Sequence, residues 1–146
     1  MEPPGKPGRF TFEQFDVFTL TSVFLHFDPV EQRDEIHING DFTLGESSNG
    51  IDPLTETVIV NMESRTVTLP PGSFVFDGSV YSATKMIGMT NVQITITPLV
   101  ASDFQWSASV MDTRLGRIRN PVFVSLRIGD DTGNATERLT GDLILP

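Results

Sequence analysis

Asp130, Asp131, Asn134 and Glu137 surround Gly133 near the end of the chain and offer a dense set of oxygen donors. Calcium takes roughly six to eight oxygen ligands. Two aspartates, an amide, a glutamate and nearby carbonyls could supply several, so no cofactor is expected unless it is calcium held by these residues. The spacing is not that of an EF-hand. Asp-rich glycine turns also serve as solvated hairpin tips held by Asx hydrogen bonds, which is the plainer reading of the same residues. Asp52 and Glu56 flank a comparable turn earlier in the chain and form a sparser oxygen set.

Other reactive side chains are scarce. His26 and His37 are the only histidines, each inside an apolar stretch with Asp28 close to the first. A metal site or a general base would need a further ligand or an orienting group in register with them. The absence of cysteine excludes disulfides, thiolate metal sites and cysteine nucleophiles. No G-x-S-x-G elbow presents a serine, and Gly45-Glu46-Ser47-Ser48-Asn49-Gly50 reads as a loop. With 19 acidic residues, carboxylate pairs at glycosidase spacing arise by chance and carry no signal. No glycine-rich run with a lysine opens a helix to cradle phosphate. The expectation is a protein without catalytic machinery. Trp106 and Tyr81 are the single members of their types, and exposed aromatic rings stack on sugars. Trp106 alternates with Phe104 and Ala108 and so points to a core, which leaves Tyr81, beside a turn, as the ligand-binding candidate.

Lys and Arg number 10 against 19 Asp and Glu, a net charge of −9. Nucleic acid binding needs a positive face, so nucleic acid is not an expected partner. No apolar run reaches the roughly 18 residues that span a bilayer, so no membrane insertion is expected. A chain of 146 residues suffices for one domain with a real core. Residues 1–9 hold three prolines and two glycines and read as a flexible arm, leaving residues 10–146 as the domain. The start, Met1-Glu2-Pro3-Pro4-Gly5, does not read as a signal peptide. The expected address is nonetheless secreted or cell-surface, with the signal removed.

Between Phe10 and Phe27 lie six of the 11 phenylalanines, with apolar residues in both alternation phases. That pattern predicts either one strand covered on both faces or two strands with a bend near Thr19. Downstream, alternation recurs at Ile36, Ile38, Phe42 and Leu44; at Val58, Val60 and Met62; at Val92, Ile94 and Ile96; and at Val122, Val124, Leu126 and Ile128. Asn39-Gly40, Asn49-Gly50, Asp77-Gly78, Pro70-Pro71-Gly72 and Gly129-Asp130-Asp131-Thr132-Gly133 punctuate the runs as turns. The reading is an all-β, antiparallel β-sandwich of about nine to eleven strands. Asp41-Phe42-Thr43-Leu44 with Val58-Ile59-Val60, and Asp103-Phe104-Gln105-Trp106 with Val122-Phe123-Val124, repeat one strand–loop–proline–strand pattern, which suggests an internal duplication.

The segments Phe42-Thr43-Leu44-Gly45, Gly50-Ile51-Asp52-Pro53-Leu54-Thr55-Glu56, Leu69-Pro70-Pro71-Gly72-Ser73-Phe74, Asn120-Pro121-Val122 and Ile128-Gly129-Asp130-Asp131-Thr132-Gly133 resemble a loosely defined group of exported bacterial β-domains. The resemblance covers about Ile36 to Glu137. It implies a sandwich fold and an exported address, and it transfers no site residue. The function expected is a structural or adhesive domain of a bacterial surface or secreted protein, with a protein partner or a second copy of itself. In a sharper form Phe10, Phe12, Phe15 and Val17 form an assembly strand that completes a neighbouring subunit and builds fibres. The alternative is a carbohydrate-binding module supported by calcium, with Tyr81 at the sugar.

Overall fold

The computed structural model describes residues 13–28, 33–46, 48–62, 65–87, 90–112 and 121–141. The expected N-terminal arm, together with Phe10 and Phe12, lies outside them. The described residues form twelve strands: β1 (Glu13–Gln14), β2 (Val17–Asp28), β3 (Arg33–Thr43), β4 (Val58–Met62), β5 (Arg65–Leu69), β6 (Val75–Phe76), β7 (Tyr81–Ile87), β8 (Thr90–Pro98), β9 (Asp103–Asp112), β10 (Val122–Ile128), β11 (Asp131–Glu137) and β12 (Leu139–Gly141). They make a five-stranded sheet in the order β1-β11-β10-β4-β5 and a seven-stranded sheet in the order β12-β2-β3-β9-β8-β7-β6. All pairings are antiparallel except β1 with β11 and β12 with β2. This is the β-sandwich that the alternation predicts. The shortest strands, β1, β6 and β12, are too brief for any period-2 pattern to register.

Each sheet turns its apolar residues inward. Ile36, Ile38, Val92, Ile94, Ile96 and Val110 from the large sheet meet Val58, Val60, Val122, Val124, Leu126 and Ile128 from the small one, all essentially closed to solvent. Burying a Val, Leu or Ile side chain contributes about 1.5–3 kcal/mol, so this layer is the main source of stability.

Strand order reveals two units of one topology. In each, a hairpin of the large sheet (β2–β3, β8–β9) crosses to a hairpin of the small sheet (β4–β5, β10–β11). The units lie side by side through β3 against β9 and β4 against β10. The pairings Ile38↔Ala108 and Val60↔Leu126 fall at the centres of those two contacts. The residues of the sequence repeat do not coincide with this symmetry: Asp41 lies at the end of β3 and Asp103 at the start of β9. What recurs is topology, not matched residues.

β2 resolves the double apolar phase of the N-terminal run. Leu20 pairs with Gly40 and Ser22 with Asn39, leaving Thr21 as an extra residue in a bulge. The bulge shifts the phase, so Leu20 and Val23 both face the core although they are three apart. One bulged strand of 12 residues therefore replaces a bend or a two-sided strand. Asn39-Gly40 is likewise not a turn but the middle of β3. A Cβ on Gly40 would stand 2.7 Å from both the Thr19 carbonyl oxygen and Trp106 Nε1, so glycine is required there by the close approach of the indole. Asp77-Gly78 does form the β6–β7 turn, with Gly78 at φ 101°.

Candidate functional site

Pairing register sets five of the connections at the same pole of the sandwich. The start of β2 and the end of β3 lie beside the start of β9 (Val17↔Thr43, Thr43↔Asp103). The ends of β5 and β10 lie beside the start of β4 (Val58↔Leu69, Ile128↔Val58). The 44–57 crossover, the 70–74 segment, the 77–80 and 99–102 turns and the 129–130 turn therefore share this end. Backbone hydrogen bonds tie them together: Leu44 N donates to Ser102 O, Gly72 N to Leu54 O and Gly129 N to Thr57 O.

The acidic residues nominated by the sequence split at this pole. Gly129 and Asp130 alone make the turn, and Asp131 to Glu137 are extended strand. At roughly 3.3 Å per residue, Asp131 and Glu137 stand about 20 Å apart along β11, and Asn134 projects to the exposed face. The four residues cannot surround one ion, because the expected loop is a strand. Among the described residues no group of three His, Asp or Glu side chains is placed to hold a metal.

Asp131 has different neighbours from those expected. Its Cα partner on β1 is Glu13, and it faces Glu56 and Asp130. It is fully buried, and neither carboxylate oxygen makes a well-formed hydrogen bond among the described residues. Burial pushes its pKa up to about 6; the Ser48 hydroxyl offsets part of this, while Asp130, Glu56 and Glu13 add to it. Glu56 is also raised, by burial first and by Asp130 and Asp52, although the Asp52 amide works against this.

Asp52 and Glu56 are occupied in holding their own turn. Asp52 Oδ1 accepts from Leu54 N at 3.1 Å and Oδ2 from the Thr55 hydroxyl at 3.0 Å, while Asp52 N donates to Glu56 Oε1 at 2.7 Å. This reciprocal cap fixes the crossover, and the Glu56 carboxylate fills the space over Gly129, where a Cβ would collide with it.

Tyr81 is half-buried, packs against the core and has its ring 4.4 Å from that of Phe76, so it is not a free platform. Trp106 is buried, as its alternation predicts. Phe15 is 7% exposed and stacks on Phe18 and Phe42 at 5.8 and 4.4 Å within its own chain, whereas Val17 is 46% exposed at the start of β2.

His37 meets a carboxylate, Glu35, that the candidate residues do not include. Glu35 accepts from His37 Nε2 at 2.9 Å and from the Ser109 hydroxyl at 3.1 Å on the outer face of the large sheet. Three reactive residue types meet there in the wrong order for nucleophilic catalysis. The hydroxyl and the imidazole both donate to the Glu35 carboxylate, whereas in the Ser–His–Asp arrangement the imidazole stands between the other two.

Among the described residues, Val17, Leu54, Val75, Phe76, Leu99 and Val100 at the loop pole are large apolar side chains left exposed. Val75 and Phe76 are the edge strand β6, 66% and 43% exposed, and Val100 at the β8–β9 turn is 75% exposed. Among the described residues no helix is long and apolar enough to cross a membrane.

No family model, no curated protein and no solved structure matches this chain. The likeness to exported bacterial β-domains therefore stands on its turn motifs alone.

Proposed function

We propose that this chain is a non-catalytic structural or adhesive domain of a bacterial surface or secreted protein, acting through protein contacts at its loop pole. The observation that carries the reading is the set of exposed apolar side chains on the described loops and edge strand at this pole. Single exposed apolar residues are ordinary, but among the described residues six lie at this end, with the two-residue strand Val75–Phe76 at the sheet edge, and such a set has the character of a contact surface. The packing of Phe15 against Phe18 and Phe42 favours assembly through this pole over donation of the first strand to a neighbour.

Light-scattering mass on a sizing column, across a wide concentration range, tests this. The expected result is larger species that grow with concentration and vanish in a Val75→Asp, Val100→Asp double variant whose melting is unchanged. A strict monomer at every concentration overturns the assembly reading.

A further inference from the structure

The outer face of the seven-stranded sheet carries a groove of about 260 Å³, lined by Thr21, Asn39, Asp41, Thr95, Thr97 and Gln105, among others. Register explains its shape. Two cross-strand rows, Asn39–Ser107–Thr95 and Asp41–Gln105–Thr97, stand up as its walls. Between them runs the row Gly40–Trp106–Ile96. Trp106 and Ile96 point into the core and Gly40 has no side chain, so backbone forms the floor. The β2 bulge closes one end by turning Thr21 and Ser22 toward the same face, the kind of local re-aiming that bulges provide.

We infer that this groove binds a neutral oligosaccharide lying across the strands. In a strongly acidic chain the lining has one charged side chain, Asp41, and neither Lys nor Arg. An anion finds no counter-charge there, and a single carboxylate does not make a cation site. What remains is a run of amides and hydroxyls that both donate and accept, with one carboxylate able to accept from a vicinal diol, which is the complement of a sugar's hydroxyls. The pairs recur at the inter-strand spacing of about 4.8 Å, close to the length of one extended β-linked pyranose unit. One wall is pre-ordered: Asn39 Nδ2 donates to Ser22 Oγ at 3.0 Å, and the Thr95 and Ser107 hydroxyls share a hydrogen bond at 2.6 Å. The facing wall of Asp41, Gln105 and Thr97 makes no such cross-links among the described residues and is the side that meets the ligand. Among the described residues no aromatic ring lies over the groove to stack on a sugar, so binding rests on hydrogen bonds and is weak.

The test is an amide-shift titration of the full chain by NMR with cellohexaose, xylohexaose and mannohexaose to millimolar concentration, with a hexauronate as the charged comparison. At least one neutral hexaose is expected to move the amides of residues 39–41, 95–97 and 105–107. Gln105→Ala and Asp41→Asn, on the solvent side of the sheet, are expected to weaken that response about tenfold with no change in melting. No response to any neutral hexaose, shifts confined to other residues, variants that bind undiminished, or an equal response to the hexauronate would each overturn the inference. Self-association is read by light scattering, so the two proposals fail independently.

Discussion

The β4–β5 hairpin closes its part of the core with its own side chains, Val67 and Leu69, whereas the β10–β11 hairpin presents Gly133 and Ala135 at the corresponding places. The comparison is set by the hairpin tips, Met62↔Arg65 in one unit and Ile128↔Asp131 in the other, two steps from Val67 and Gly133. The space left at Gly133 is filled from elsewhere: a Cβ there would lie 2.6 Å from Phe15 Cδ2 and 3.0 Å from Phe18 Cβ. The second unit thus depends on rings carried by the N-terminal segment and β2. Its hairpin also places a buried carboxylate, Asp131, beside that hollow. One topology therefore tolerates two ways of filling: a hairpin can complete its own core or leave a cavity matched to a distant segment.

The largest effect on this contrast should come from Phe15→Ala, which empties the hollow. Truncating a buried aromatic costs about 3–5 kcal/mol, and urea denaturation should show a loss well beyond that of Val67→Ala. A similar cost for the two would mean that the second hairpin does not rely on the N-terminal ring. Next comes Gly133→Val, which gives the second hairpin the side chain of the first. Overpacking against the two rings should cost about 1–3 kcal/mol alone. It should cost markedly less in the Phe15→Ala background, because the new side chain then occupies vacated space. Additive losses would show that Gly133 and Phe15 do not share one cavity.

The smallest effect concerns Asp131. Its pKa in the fold, about 6, exceeds the ordinary 3.8, so the folded state holds the proton more tightly than the unfolded chain. The linked stability is fully present below about pH 4 and is lost as pH rises through about 6. The raised pKa of Glu56 acts in the same direction. The full shift corresponds to about 3 kcal/mol, and solvent reaching the partly exposed Asp130 and Glu56 screens their share and lowers it to roughly 1–2 kcal/mol. Asp131→Asn removes the charge and leaves amide donors facing Glu13, Glu56 and Asp130. It should raise stability at pH 7.5 by that amount and flatten the fall between pH 4 and 6. A variant no more stable than the parent at pH 7.5 would show that the carboxylate is satisfied in solution.

Much of the frame was legible in the chain. Alternation at Val58–Met62, Val92–Ile96 and Val122–Ile128 names strands and their inward faces, because pleating makes side-chain direction a local property with period two. The buried place of Trp106 and the turn at Asp77-Gly78 follow from the same local rules. The candidate site was far less legible. Asp130 to Glu137 has the composition of a loop, yet pairing with β10 extends it from Asp131 onward and disperses the four oxygen donors. Glu35 and His37 share a face of β3 by the same period-two rule, but the meeting of Glu35 with Ser109 gave no signal, because it depends on which strand lies beside β3.

The all-β sandwich, its inward residues and most of its turns are thus written in the sequence, since each depends on neighbours within a few positions. The bulge at Thr21, the yielding of Gly40 to an indole and of Gly133 to Phe15, and the two polar rows that enclose a groove come from the tertiary structure alone. Each of these depends on which distant strands become neighbours and in what register. A local pattern cannot encode that choice, since a shift of one residue along a strand would present the opposite face.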